Sequence, residues 1–277
     1  MTRRLALRKG IGYLVLIVML LVIVAPFYWM VITSFKTNGE ISAFPPTYFP
    51  QNPTLLQYQQ AFYQFGFGVY FRNSLVVSLV STFFVMILAA LASYALARLP
   101  IRGKAPIMVV LLMISTFPQV GVIFPLFVLF QSIGWLNSYQ ALIVPYTAFN
   151  LPFAIWVMRT YFIGIPKELD EAARVDGASV MTTVFRVILP LATPGLFTGA
   201  IFTFVACWTE FFFALVFNNS NALRTIPVGI ALFGGQFTIP YGTMFAASTV
   251  AVLPVVLLVL IFQRWVVAGL TAGAVKG

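Results

Sequence analysis

The 277-residue chain contains no histidine, a single cysteine and only six acidic residues. The lack of histidine excludes Ser–His and Cys–His catalytic pairs within the chain, and any metal site with an imidazole ligand. A disulfide within the chain is excluded because Cys207 has no second cysteine to pair with. The phosphate-binding pattern G-x-x-x-x-G-K-S/T is also missing, since Gly103-Lys104 lacks the earlier glycine and the following hydroxyl residue. We therefore expect no enzyme, and we predict no catalytic or metal-binding residue.

Charged residues are scarce: they make up 8% of the chain, whereas hydrophobic residues make up 61%. A soluble domain carries about 25% charged residues, so this composition predicts an integral membrane protein with the lipid bilayer as its surroundings. The net charge of +10 does not indicate a nucleic-acid partner. The basic residues are scattered at the ends of apolar runs, as topology signals are, and they form no basic face.

Apolar runs long enough to cross a hydrocarbon core of about 30 Å occur six times. We predict an all-α, polytopic membrane protein with six transmembrane helices, in a single transmembrane permease domain over residues 1–277. The first run is longer than the core of a signal peptide, so we interpret it as a retained helix. The expected spans are about 11–35, 71–97, 106–131, 141–162, 191–217 and 242–266.

The basic residues also predict the orientation of the chain. Lys36, Arg72 and Arg224 fall on one side of the predicted membrane, and the other thirteen of the sixteen basic residues fall on the opposite side. The positive-inside rule places the richer side in the cytoplasm. Both termini are therefore predicted to be cytoplasmic, and the connections 36–70 and 218–241 to be extracytoplasmic.

Four of the six acidic residues lie in one polar stretch, Pro166–Pro190, which reads PKELDEAARVDGASVMTTVFRVILP. The stretch predicts short cytoplasmic helices between spans four and five. Gly177 is expected to end the first helix in the left-handed conformation, and Ser179 to cap the second. The side chains of two adjacent alanines, Ala172 and Ala173, are small, so another protein can approach the backbone of the first helix closely on that face.

This stretch resembles the EAA loop of bacterial ABC importer permeases, whose pattern is E-A-A, three residues, G, nine residues and I-x-L-P. The match runs through Glu171-Ala172-Ala173, Gly177 and Val187-Ile188-Leu189-Pro190, with Val187 in place of the usual isoleucine. In that family the loop is a coupling helix that docks in a cleft of the cytoplasmic ATPase. From the residues alone, an amphipathic connector on the membrane surface is the alternative. The resemblance implies these ATPase-coupling residues: Glu171, Ala172, Ala173, Asp176, Gly177, Leu189 and Pro190.

Two other segments are similar to maltose-type (MalG-like) permeases of carbohydrate importers. The segment CWTEFFFALVF around Glu210 resembles a W-N-E-F stretch, with Thr209 in place of asparagine. The segment Gly269–Gly277, preceded by Gln263-Arg264-Trp265, resembles the tail of the second permease subunit. This resemblance implies that Thr271, Lys276 and Gly277 lie at the ATPase interface. The last outer loop is implied to probe the sugar site of the binding protein, and a tight turn between spans is the alternative for it. The loop centres on Gly234, Gly235, Gln236 and Phe237.

The resemblance implies a permease subunit of an ATP-binding-cassette importer in the bacterial inner membrane, which moves a sugar or oligosaccharide into the cytoplasm. The expected partners are a second, MalF-like permease subunit, a cytoplasmic ATPase dimer and an extracytoplasmic solute-binding protein. The chain itself would hold no cofactor, because ATP and Mg²⁺ would bind to the partner ATPase. The competing prediction is an ion-coupled secondary transporter, which would carry paired charges within the membrane and repeat symmetry.

Three polar residues at membrane depth are candidates for a transport pathway: Glu210, Asn150 and Gln119. An ionised carboxylate there costs on the order of 3 kcal/mol or more, so Glu210 should be partnered, neutral or beside a wet cavity. We favour an anchor between helices for Glu210. For Asn150 and Gln119 the alternative to a pathway role is a hydrogen bond to a backbone carbonyl freed by a nearby proline, Pro152 or Pro118.

Overall fold

The computed structural model describes residues 2–234 and 239–272, with the side chains of residues 10–234 and 239–265. The described residues form helices and connections and include no β-strand, which confirms the predicted all-α class. In chain order the helices are α1 Thr2–Ser34, α2 Asn38–Ile41, α3 Leu56–Gln59, α4 Phe67–Arg98, α5 Lys104–Ser115, α6 Val120–Ser132, α7 Gln140–Gly164, α8 Glu168–Val175, α9 Val180–Thr182, α10 Leu189–Leu191, α11 Thr193–Thr209, α12 Phe212–Phe217, α13 Ile226–Ala231 and α14 Tyr241–Ala272, with π-helical turns at Gln60–Gln64 and Thr183–Ile188.

Four helices are each long and apolar enough to cross a membrane: α1, α4, α7 and α14. Two bent pairs of helices bring the number of candidate spans to as many as six, when each pair is taken as one span. One pair is α5 with α6, and the other joins the segment Val180–Leu191 to α11. The predicted polytopic membrane class is confirmed, whereas the cytoplasmic side of the termini stays a prediction.

The predicted third span, 106–131, is not one continuous helix. Helix α5 ends at Ser115, α6 begins at Val120, and the two are bent by 86°. Pro118 lies in the break, where its missing N–H and its ring oppose a continuous helix. The hydroxyl groups of Ser115 and Thr116 donate to carbonyls three residues earlier, at 2.8 and 2.9 Å. The N–H of Thr116 donates to the same two carbonyls, Leu112 and Met113, so these hydroxyl bonds add to the closing turn of α5.

The predicted fifth span, 191–217, is also interrupted. Helix α11 ends at Thr209 and α12 begins at Phe212. Between them, Glu210 has an extended backbone with φ −66° and ψ 133°, which cannot continue a helix. The side chain of Glu210 takes over part of the lost bonding, as described below.

Residue contacts divide the chain into two compact units, one comprising Met1–Phe67 and Ile230–Leu253 and the other Gly68–Gly229 and Pro254–Gly277. The assignment of residues 1–277 to a single permease domain stays a prediction. In the first unit, the buried ammonium group of Lys36 donates to the carbonyl of Thr47 and lies 4.6 Å from the ring centroid of Trp29. The aliphatic stem and charge of Lys36 therefore tie the end of α1 to the connection that follows it.

The core of the second unit consists of two apolar clusters. One surrounds Met158, Phe162 and Ile188, and the other contains Tyr146 and Phe213. The first cluster joins α4 and α7 to the π-helical turn Thr183–Ile188, so it lies beside the polar stretch of the sequence. The polar stretch is therefore packed against the apolar core through Val184 and Ile188.

Helices α7 and α11 approach closely in the second unit. A Cβ atom added to Gly195 would lie 2.4 Å from the ring of Tyr161, so the absence of a side chain at Gly195 permits this spacing. The close approach fixes the beginning of α11, which directly follows the polar stretch.

Candidate functional site

The first polar helix, α8, ends as the sequence predicts. Gly177 has φ +78°, in the left-handed region that glycine adopts without steric cost. Its N–H donates to the carbonyl of Arg174 at 3.0 Å, and the N–H of Ala178 donates to that of Ala173 at 2.9 Å. This pair of bonds is a Schellman motif, which satisfies carbonyls at the end of a helix. The chain therefore turns sharply at Gly177.

The second polar helix also begins where the sequence predicts. The hydroxyl of Ser179 accepts from the N–H of Thr182 at 3.2 Å and caps α9. From there the chain runs through the π-helical turn Thr183–Ile188 into α10, so the two arms of the stretch meet at the turn around Gly177. Leu189 is half-buried against the first apolar cluster, whereas Pro190 is exposed.

A buried ion pair attaches α8 to the end of α4. The guanidinium Nε of Arg98 lies 3.3 Å from Asp170 Oδ2, and the two side chains are only 4% and 7% exposed. The hydroxyl of Tyr94 donates to Asp170 Oδ1 at 2.8 Å. Arg98 also donates to the carbonyl of Ile165, at 2.5 Å, where α7 ends. We call Tyr94, Arg98 and Asp170 the Arg–Asp–Tyr anchor: the Asp170 carboxylate joins α8 to α4, and the Arg98 guanidinium extends the contact to the end of α7.

The outer face of α8 is exposed and partly acidic. Glu171, Ala172 and Asp176 are exposed, whereas Ala173 is only 8% exposed. The two alanines therefore do not form one exposed face: Ala172 is available to another protein, whereas Ala173 packs within this chain. Val175 is 86% exposed at the tip of the helix, an apolar side chain among polar neighbours.

Glu210 lies at the break in the fifth span and has three partners. Its Oε2 accepts from the hydroxyl of Tyr146 at 2.5 Å, which links α11 to α7. The N–H groups of Phe213 and Ala214, in the first turn of α12, donate to its carboxylate at 2.8 and 3.2 Å. Glu210 thus caps α12 and anchors it to α7, which agrees with the favoured role of an anchor between helices.

Asn150 and Gln119 lie in different places. The amide of Asn150 donates to the carbonyl of Tyr146 at 2.8 Å and lies 3.6 Å from the sulfur of Cys207. The acceptor is a backbone carbonyl, as expected, but not the one that Pro152 frees four residues earlier. Gln119 lies half-buried at the break between α5 and α6 and is not brought together with Asn150 or Glu210 by any described hydrogen bond.

The other predicted site residues lie at the edges of the described structure. Gly234 is exposed in the connection between α13 and α14, and Thr271 lies in the final turn of α14. The remaining loop and tail predictions fall outside the described residues: Gly235, Gln236, Phe237, Lys276 and Gly277. Among the residues whose side chains are described, no three potential metal ligands come together.

Sequence reasoning missed the Arg–Asp–Tyr anchor and the exposed Val175. Asp170 reads as one more acid in the first turn of α8, and Arg98 as one more positive-inside residue. Arg98 and Asp170 are far apart in the sequence, so no local sequence pattern predicts their pairing. Val175 could have been found, because it is the only β-branched apolar residue in α8.

Comparisons with known proteins identify the family of the chain. The family model described as "Binding-protein-dependent transport system inner membrane component" matches residues 86–272, which is more than half of the chain. The sulfoquinovosyl glycerol transport system permease SmoH of Agrobacterium fabrum is 43% identical over 252 residues, covering 91% of this chain and 88% of that protein. The trehalose/maltose transport system permease MalG of Thermococcus litoralis is 39% identical and covers 94% of each chain.

A solved structure supports the fold. A chain from a bacterial ABC transporter involved in the import of the acidic polysaccharide alginate superposes with a TM-score of 0.82, at 19% identity, covering 94% of this chain and 96% of that one. Together with the apolar helices, the family match places the protein in the inner membrane. The chain therefore belongs to the family of inner-membrane components of binding-protein-dependent transport systems, as a multi-pass ABC importer permease.

Proposed function

We propose that this permease moves a sugar or oligosaccharide into the cytoplasm, and that it is driven through the turn around Gly177. The printed names of the two relatives, a sulfoquinovosyl glycerol permease and a trehalose/maltose permease, support a glycosyl substrate. The observation that carries the proposal is an exposed acidic helix, α8, that ends in a Schellman turn and is fixed to the bundle by a buried ion pair.

The coupling residues divide into an outer and an inner set. Glu171, Ala172 and Asp176 are exposed, so they contact the ATPase, with Glu171 forming charge-assisted hydrogen bonds. Val175 adds an apolar contact, since its side chain is almost fully exposed. The inner set, Asp170 with Arg98, transmits the displacement of α8 to α4.

The partners follow from the family. Importers of this family pair a permease with ATPase and binding-protein components, and the finer assignment is a second, MalF-like permease, an ATPase dimer and an extracytoplasmic binding protein. ATP and Mg²⁺ bind to the ATPase in this proposal, and this chain is not an enzyme. The tail residues Thr271, Lys276 and Gly277 lie at the ATPase interface, and the loop Gly234–Phe237 lies against the binding protein.

A substitution at Gly177 tests the coupling assignment in the assembled importer. An added Cβ at Gly177 would meet no atom within 4 Å, so Gly177→Val introduces backbone strain at φ +78° without a collision. Gly134→Val is a matched control, since Gly134 has φ +71°, an added Cβ would meet no atom within 4 Å, and the same pair of backbone bonds ends α6 there. Uptake of a radiolabelled sugar and ATP hydrolysis are measured together in proteoliposomes with saturating binding protein.

We expect Gly177→Val to lose uptake per ATP hydrolysed while the complex still assembles, and Gly134→Val to retain it. Equal uptake per ATP in Gly177→Val and the wild-type protein would contradict the coupling role of Gly177. Failure of the wild-type importer to take up any sugar would contradict the proposed substrate class. The coupling role of Gly177 could then still be measured with another solute that the importer takes up.

A further inference from the structure

The first unit contains a cavity of about 540 Å³ that none of the coupling residues line. Its walls come from the connection after α1, from the π-helical turn Gln60–Gln64 and from the first turn of α14. A volume of this size accommodates a small organic ligand. The predicted orientation of the chain places this cavity on the extracytoplasmic face.

A buried glutamine fixes the polar wall of this cavity. Gln57 is fully buried, and its Nε2 donates to the carbonyl of Lys36 at 3.1 Å, which identifies the nitrogen of its amide. The same Nε2 lies 2.7 Å from Asn38, so the atom of Asn38 that faces it is the amide oxygen. The Nδ2 group of Asn38 is therefore left for other acceptors.

A second part of the wall, at Gln60, is held in a similar way. The hydroxyl of Thr243 lies 3.0 Å from the amide oxygens of both Gln57 and Gln60. The single hydroxyl hydrogen of Thr243 is shared between these two oxygens, and the NH₂ group of Gln60 is the part of its amide that remains for a ligand. Two amide groups that line the cavity, Asn38 and Gln60, are accordingly preorganised as hydrogen-bond donors.

The rest of the lining is uncharged and partly aromatic. Phe65 and Phe233 stack with their ring centroids 4.5 Å apart, and Gln64 and Tyr241 complete the rim. None of the described residues that line the cavity carries a charge. A ligand for this site needs neutral acceptor oxygens for the amide donors and an apolar face for the rings.

We propose that this cavity is a glycosyl subsite, which holds a neutral sugar ring next to the outer end of α14. Hydroxyl and ring oxygens of a sugar accept from Asn38 and Gln60, while the C–H face of the ring packs against the aromatic side. The ligand class rests on the sugar substrate proposed above, but the site is separate from the coupling site. A sugar held here would be retained at the outer face before it enters the transport pathway.

The test measures sugar binding to the assembled permease and ATPase complex in lipid nanodiscs, without binding protein. Maltoside detergents are avoided because their glucosyl head groups would compete. Saturation-transfer NMR is recorded with trehalose, maltose and diacetylchitobiose as probes. Gln64→Trp fills the cavity from its rim, and Gln59→Trp is the matched control, since Gln59 is exposed on the adjoining helical turn and does not line the cavity. Tyr241→Ala, which removes a 54% exposed ring, is a second variant that does not depend on the bulk of tryptophan.

We expect at least one disaccharide to bind the wild-type complex and the Gln59→Trp control equally. In Gln64→Trp and Tyr241→Ala its affinity should fall about tenfold, which corresponds to about 1.4 kcal/mol. Glucose 6-phosphate should not compete, because the described lining residues offer no cation. Unchanged affinity in both cavity variants, binding of none of the three disaccharides, or effective competition by the phosphate would overturn the proposal. Sugar uptake by the wild-type importer is measured in parallel, and uptake without binding at this site rejects the subsite and leaves the proposed function standing.

Discussion

The Arg–Asp–Tyr anchor gives the sharpest quantitative prediction. Arg98→Met removes the positive charge and keeps most of the side-chain volume, while Asp170→Asn removes the negative charge at constant shape. Each single change leaves one charge buried without its partner, because both side chains are less than 10% exposed. The double variant leaves neither charge uncompensated, and it isolates the interaction between the two groups.

The expected magnitudes follow from burial. Breaking a buried ion pair from one side costs about 3–5 kcal/mol, whereas replacing both partners with neutral groups is close to neutral in many proteins. We therefore expect each single variant to lose about 3 kcal/mol of unfolding free energy, roughly a hundredfold change in the equilibrium. The double variant should lose less than either single variant. Loss of the Tyr94 hydroxyl in Tyr94→Phe should cost about 1.5–3 kcal/mol, as expected for a hydrogen bond to a charged group.

Cys207 supplies the assay. It is the only cysteine and is 4% exposed, so a thiol-reactive fluorescent dye reports its exposure when the protein unfolds. Unfolding is followed in nanodiscs with increasing denaturant. Arg102→Met is the control, because Arg102 is an exposed arginine in the connection that follows α4. It should change stability by less than about 0.5 kcal/mol. Strictly additive losses in the double variant would refute the reasoning, since they would mean that Arg98 and Asp170 do not stabilise each other.

Three further predictions concern other parts of the chain. Gly195→Ala should lower the unfolding free energy by about 1–3 kcal/mol, measured with the same dye, because its Cβ would lie 2.4 Å from the ring of Tyr161; unchanged stability would show that the ring moves freely. Glu210→Ala should lower the melting temperature more than Glu210→Gln, because glutamine retains an oxygen that can accept from the first turn of α12; equal shifts would contradict the capping role. The hydroxyl of Thr47 and the backbone N–H of Gln51 donate to Glu40 and lower the pKa of its carboxyl below 4.5. The ionised carboxylate therefore stabilises the folded loop at any pH above the pKa of the unfolded state. That contribution is lost as the pH falls through the lower pKa of the folded state. Amide hydrogen exchange in the loop, corrected for the intrinsic effect of pH, should therefore become faster at acidic pH in the wild-type protein, and Glu40→Gln should remove that dependence; an unchanged dependence in Glu40→Gln would contradict this account.

The features that sequence reasoning predicted are those that depend on composition or on near neighbours. Apolar runs and the scarcity of charge are sufficient for the membrane class, because the cost of burying charge in lipid acts on every residue. The turn at Gly177 and the cap at Ser179 follow from bonds within five residues. The EAA spacing predicted membership of the importer permeases, which the family match confirms.

The features that it missed depend on long-range packing. The pairing of Arg98 with Asp170 exists only because α8 folds back onto the end of α4, and nothing near either residue in sequence specifies that contact. The break at Glu210 contains no proline or glycine. Its cause is a carboxylate that replaces backbone bonds, which a count of apolar residues cannot detect. The coupling, tail and loop roles stay predictions until the experiments above are performed.

The break at Glu210 has a mechanical consequence. A continuous helix passes an axial push along its whole length, whereas two short rods joined by an extended residue share it only through what bridges the gap. Here the bridge is one carboxylate, held by Tyr146 on one side and by two N–H groups of α12 on the other. A shift of α11 can therefore be absorbed by rotation about the extended backbone of Glu210 and by stretching of these bonds, whereas a continuous helix would pass it on to the residues of α12.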